Sequence, residues 1–94
     1  MRMYLAELYL PRSRADEAWA AGLRARATAE ELACEGDAIR YLRTTFVPDD
    51  ETCFHVFEAA TAELVEEAAS RAGLGAARVV PAFEASGSAD GAGA

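Results

Sequence analysis

Apolar and polar positions alternate with a period of two over residues 3–10. Tyr4, Ala6, Leu8 and Leu10 go to one side and Met3, Leu5, Glu7 and Tyr9 to the other. The pattern predicts a strand, stopped by Pro11. Ser13-Arg14-Ala15-Asp16 has the form of a helix start, and Trp19, Leu23, Ala27 and Leu32 follow at near-helical spacing towards Gly36, a residue suited to end a helix. Alternation returns over 38–47 and 52–59, either side of the turn Pro48-Asp49-Asp50-Glu51. Thr61 then opens a second helix with an apolar stripe of Leu64, Val65, Ala68, Ala69 and Ala72, ended by Gly73. A last strand is expected over 77–85, where Pro81 suits an edge position or a bulge.

The order β-α-β-β-α-β predicts an α+β chain with the ferredoxin-like βαββαβ plait, a four-stranded antiparallel sheet with two helices on one face. Residues 1–85 form the domain. Residues 86–94, SGSADGAGA, hold no large apolar side chain and are expected to be a disordered tail. A chain of 94 residues buries only roughly 60–65% of its unfolded surface, so the core is thin. The second sheet face is left bare with apolar side chains on it, which predicts a homodimer: a dimeric α+β barrel or a face-to-face pair. A small-molecule pocket of about 300 Å³ is then expected on the open face, closed by the second copy.

A net charge of −7, with nine cations scattered among sixteen acids, argues against nucleic acid, because phosphate binding needs clustered cations. All nine cations are Arg. Cys34 and Cys53 have no CxxC or CxxH spacing, so free thiols are expected in place of a zinc knuckle or a redox motif. The start, MRMYLAELYL, lacks the apolar run of a signal peptide, and no stretch is long enough to span a membrane; the expected location is cytoplasmic, with no membrane partner.

Candidate chemistry gathers on the third strand. Alternation places Cys53, His55 and Phe57 on one face, opposite Phe54, Val56 and Glu58, and His55 is the one His of the chain. In this plait the first and third strands are adjacent, so Glu7 and His55 would be neighbours if both face the bare side. A carboxylate beside an imidazole orients the ring and raises its basicity, which makes His55 and Glu7 the candidate catalytic pair. Tyr41 and Arg43, taken as sharing a face of the second strand, would position a phenolic or carboxylated ligand, with Tyr4, Cys53 and Phe57 lining the same place. Cys53 as a nucleophile would need a lowered pKa, which acidic surroundings do not supply. The acidic turn at Asp49, Asp50 and Glu51 lacks the spaced carboxylates of a calcium loop and reads as a solvated turn.

Four segments, YLAE, IRYLRTTFVPDDETCF, FEA and the RAGL of Arg71–Leu74, resemble an actinobacterial family of small ferredoxin-like proteins of unknown function that includes a nickel-binding protein. The resemblance covers about residues 3–85. It implies the plait fold and suggests nickel as a cofactor. The nickel-binding members are similar to one another in being His-rich along the first strand and helices. The stretches AELYLPRSR and ASRAGLG have no His here, so that metal set does not carry over, and Glu7, Cys53 and His55 are the conceivable ligands left. Two functions from different classes follow. The main one is a cofactor-free enzyme of small-molecule, natural-product-type metabolism, an isomerase or cyclase that moves a proton in a dimer cavity, with no metal site. The alternative is a metal-binding or nickel-responsive protein without catalytic activity.

Overall fold

A computed structural model describes residues 1–85. Strand β1 (Arg2–Tyr9) leads through a short 3-10 turn at Arg12–Arg14 into helix α1 (Asp16–Cys34). Strand β2 (Ile39–Val47), a 3-10 turn at Pro48–Asp50, strand β3 (Thr52–Ala59), helix α2 (Ala62–Arg71) and strand β4 (Arg78–Ala82) complete it. The sheet is antiparallel throughout in the order β2-β3-β1-β4, and both helices pack on one face, as the βαββαβ pattern predicts. β4 lies at an edge, where Pro81 pairs opposite Tyr4 without needing an N–H for a further neighbour. The tail expected over 86–94 lies outside the described residues.

Both helices stop for the same local reason. Gly36 and Gly73 adopt φ of 100° and 69°, and the following amides fold back, Asp37 N onto Leu32 O and Leu74 N onto Ala69 O, each at 3.0 Å. This is the Schellman closure, which glycine permits because it has no Cβ to clash in the left-handed region. Thr61 caps α2 by accepting from Leu64 N at 3.3 Å. The predicted Ser13 cap of α1 does not form: α1 follows the 3-10 turn directly, with Ala15 at the cap position and no side-chain acceptor there.

Helix α1 turns a different face to the sheet from the one its large side chains suggest. Trp19 and Leu23 are 77% and 52% exposed, while Ala18, Ala21, Gly22, Ala25, Thr28, Ala29 and Leu32 are buried. These recur at spacings of three and four, so the stripe is helical but built of small residues. Close approach is the cause. A Cβ built on Gly22 would lie 2.7 Å from Thr44 Oγ1 and 3.1 Å from the Tyr41 hydroxyl, so the helix rests on β2 where no side chain intervenes.

The core under the helices is centred on Phe57, Leu32, Val65, Ile39 and Tyr4, with the Tyr41 ring edge-on to Phe57 at 5.8 Å. Each large apolar side chain removed from water contributes about 1.5–3 kcal/mol, and more than half of this core is alanine, so its margin is narrow.

Gly22→Ala should destabilise the fold by about 1–2 kcal/mol in a denaturant melt. Overcrowding Thr44, which two hydrogen bonds hold in place, outweighs the roughly 1 kcal/mol of helix propensity gained. In a Thr44→Ala background the same change should cost less or nothing; equal cost in both backgrounds would separate the effect from that contact.

Candidate functional site

The pairing register decides which side chains meet. Ala6 lies opposite His55 and Tyr4 opposite Phe57, so Cys53, His55, Phe57 and Tyr4 face the helices. The expectation that His55 and Cys53 face the bare side is therefore corrected: they are 0% and 1% exposed, beneath α1. Alternation alone separates the two faces of a strand but does not say which one the helices cover. Glu7 lies opposite Phe54 and Arg78, on the other face of the sheet from His55. Glu7 and His55 thus form no pair. Residues one position out of register in an antiparallel ladder point to opposite sides.

Tyr41 and Arg43 are also separated. The β2–β3 pairing shifts between them, Tyr41 opposite Phe57 and Arg43 opposite Val56, leaving Leu42 as the extra residue of a bulge. Tyr41 stays under the helices, whereas Arg43 turns to the open face and pairs with Glu84 at 3.0 Å. The bulge brings Thr44 opposite His55, a residue that alternation through Tyr41 and Arg43 assigns to the other side.

A chain of polar contacts results. The Tyr41 hydroxyl lies 2.6 Å from Thr44 Oγ1, Thr44 Oγ1 lies 2.8 Å from His55 Nδ1, and His55 Nε2 lies 3.6 Å from Cys53 Sγ. Either polarity satisfies it, with protons donated from Tyr41 towards the ring or from the thiol towards Tyr41. Burial pushes the His55 pKa down to about 4, assisted by the Arg24 charge, and burial raises that of Cys53. Both groups are neutral at pH 7. A neutral thiol beside a neutral imidazole is not the thiolate–imidazolium pair of a cysteine nucleophile.

Above this pair lies a cavity of about 420 Å³. Its wall is made by Tyr9–Pro11 at the end of β1, by Arg14 of the first 3-10 turn, by Glu17 and Arg24 along α1, and by the loop Gly73–Ala76 after α2. It forms within one protomer, on the helix side of the sheet. The β2–β3 turn is tied to its rim, because Glu51 accepts from Arg12 N at 2.8 Å through its carboxylate and from Leu10 N at 2.8 Å through its backbone. Glu51 takes the left-handed conformation, φ 49°, to do so. The acidic turn is therefore a structural clasp at Glu51, with Asp49 and Asp50 exposed.

A family model described as nickel responsive protein, SCO4226-like, matches residues 4–81. The chain belongs to this family. The four segments that suggested the resemblance all lie within or overlap that range. Searches of curated proteins and of solved structures return no match.

The SCO4226-like family name raises nickel, and the donor set can be compared with it. Among the described residues no three His, Cys, Asp or Glu side chains converge as a metal-holding group. The sole imidazole has Nδ1 engaged by Thr44, its Nε2 meets a neutral thiol, and the nearest charge that acts on it is a guanidinium. Nickel(II) favours several imidazole, carboxylate or thiolate donors in a square or octahedral array, so these residues do not fit it within one protomer.

The depressed His55 pKa has a stability consequence. The unfolded chain takes up a proton near pH 6.5 and the folded one only near 4, so the contribution is complete above about pH 6.5 and is lost as pH falls towards 4. The span corresponds to about 3 kcal/mol. Denaturant melts between pH 7 and 4 should show this slope, and His55→Gln should flatten it; an unchanged slope would mean that other groups carry the acid sensitivity.

Proposed function

We propose that this SCO4226-like chain is a non-catalytic, metal-responsive protein that acts as a homodimer and takes a small molecule in its helix-side cavity, with no nickel centre built by a single protomer. The observation that carries this reading is the neutral Cys53–His55 pair beneath the cavity, sealed from water and without a third donor. The family membership supports the metal-responsive part. The isomerase or cyclase reading finds no comparable support, because the pair it rests on, His55 and Glu7, is divided by the sheet.

Dimerisation is supported by the open face. Met3, Leu5, Phe54, Val56 and Val80 make an apolar stripe there, flanked by the Arg40–Glu58 pair at 2.5 Å and the Arg43–Glu84 pair at 3.0 Å. The protomer is a two-layer slab, 39 × 37 × 18 Å, and a second slab laid on this stripe would supply the missing layer. Sedimentation at micromolar concentration should give about twice the 10.0 kDa chain mass, and Val56→Arg should yield monomers. A native protein that sediments as a monomer would remove the dimer from the proposal.

Calorimetric titration of untagged protein with nickel chloride should show binding no tighter than about 1 μM. Affinity well below that, abolished by His55→Ala, would instead assign nickel to the buried pair and overturn this reading.

A further inference from the structure

The cavity wall holds one cation with an unused hydrogen-bonding face. Arg24 is anchored by its Nε, which donates to the Ala72 carbonyl at 2.8 Å, and this places the guanidinium at the junction of α1 and the α2–β4 loop. Its two terminal nitrogens meet no acceptor among the described residues, and no carboxylate pairs with it. The carboxylate on the same wall, Glu17, is occupied by Arg14, whose Nε and Nη2 each donate to it at 2.6 Å. That pair is internally neutral, so Arg24 leaves the cavity with one net positive charge.

The α2–β4 loop beside Arg24 offers donors of the same kind. The Gly73 and Leu74 amides close the end of α2, but those of Gly75 and Ala76 donate to no acceptor among the described residues, and both residues line the cavity. Guanidinium N–H groups and free backbone N–H groups bordering one cavity are the kind of donors that receive a planar or tetrahedral oxyanion. The neutral thiol and imidazole beneath it add no negative charge to oppose one.

We propose that this cavity binds a small oxyanion of the carboxylate or phosphate class, held by the terminal nitrogens of Arg24 and by the amides of Gly75 and Ala76. The proposal rests on the reading of the cavity as a ligand site and adds the charge and shape of the ligand. The bound anion offsets the Arg24 charge felt by His55 and so favours protonation of the buried ring, which makes His55 a reporter of occupancy. His55 itself takes no part in holding the ligand.

The experiment is a nuclear magnetic resonance titration of the full chain at constant ionic strength with acetate, with methyl phosphate and with neutral acetamide. Acetate or methyl phosphate should shift the Gly75 and Ala76 amide signals and the His55 ring saturably, and the tighter of the two tells carboxylate from phosphate. Arg24→Gln should weaken binding about ten- to hundredfold, the scale of one charge-assisted hydrogen bond. Arg24→Lys should restore part of it, and Arg78→Gln, on the open face, should leave it unchanged. If acetamide saturates the same signals as well as acetate does, the anion class is wrong while the ligand cavity stands. If none of the three saturates, the oxyanion inference is overturned. If the anions bind equally well to Arg24→Gln, the assignment to this cavity is overturned.

Discussion

The arrangement depends on how closely α1 lies on β2. At Gly22 the helix backbone comes within a methyl's reach of Thr44 and Tyr41, which leaves no room for a side chain between them. That approach buries Thr44 against His55 and shuts the ring and Cys53 away from water. A polar group sealed in this way needs a partner, since an unmade hydrogen bond costs about 1–3 kcal/mol. The sequence Tyr41–Thr44–His55–Cys53 supplies partners from end to end. The small-residue stripe of α1 and the polar chain beneath it are thus two parts of one packing solution.

The same approach shapes what the helix side of the molecule can offer. Because α1 packs through Ala and Gly, its longer polar side chains Glu17 and Arg24, with Arg14 of the preceding 3-10 turn, are left to wall the cavity together with the α2–β4 loop. Because His55 is sealed below, it stays neutral and uncharged towards that cavity. In the proposed site, recognition runs through N–H donors and the Arg24 cation. General acid–base work would need a titrating group in contact with the ligand and a pKa near the working pH, and the buried ring offers neither. The nickel association of the family meets a comparable obstacle in this chain, since its one imidazole and the Cys53 thiol beside it are committed to the interior, while the second thiol, Cys34, is exposed at the end of α1 and joins no group of donors among the described residues.

Much of the fold was readable before any coordinates. Periods of two and near 3.6, Thr61 as a cap, Gly36 and Gly73 as stops and Pro81 as an edge residue each carry their structural meaning locally, and each holds in the structure. Ser13 and the Trp19–Leu23 stripe did not hold, because the tertiary fit of a helix onto a sheet outweighs the apolarity of its exposed positions. The site was less readable. Cys53, His55, Tyr41 and Tyr4 do gather on one face, but Glu7 and Arg43 belong to the other, and Thr44 and Arg24 carried no signal that set them apart from ordinary polar positions.

What the sequence determined by itself was the set of elements, their order and the alternation within each strand, since these follow from interactions between residues a few positions apart. Which face the helices cover, where β2 takes its extra residue, and hence whether His55 meets Glu7 or Thr44, were decided only by the tertiary structure. A single bulge at Leu42 inverts every side chain after it, and no local preference in IRYLRTTFV marks the place where that happens. The bulge is settled by what fits beneath α1: a short hydroxyl at Thr44, where Arg43 would not fit, against the closest point of the helix.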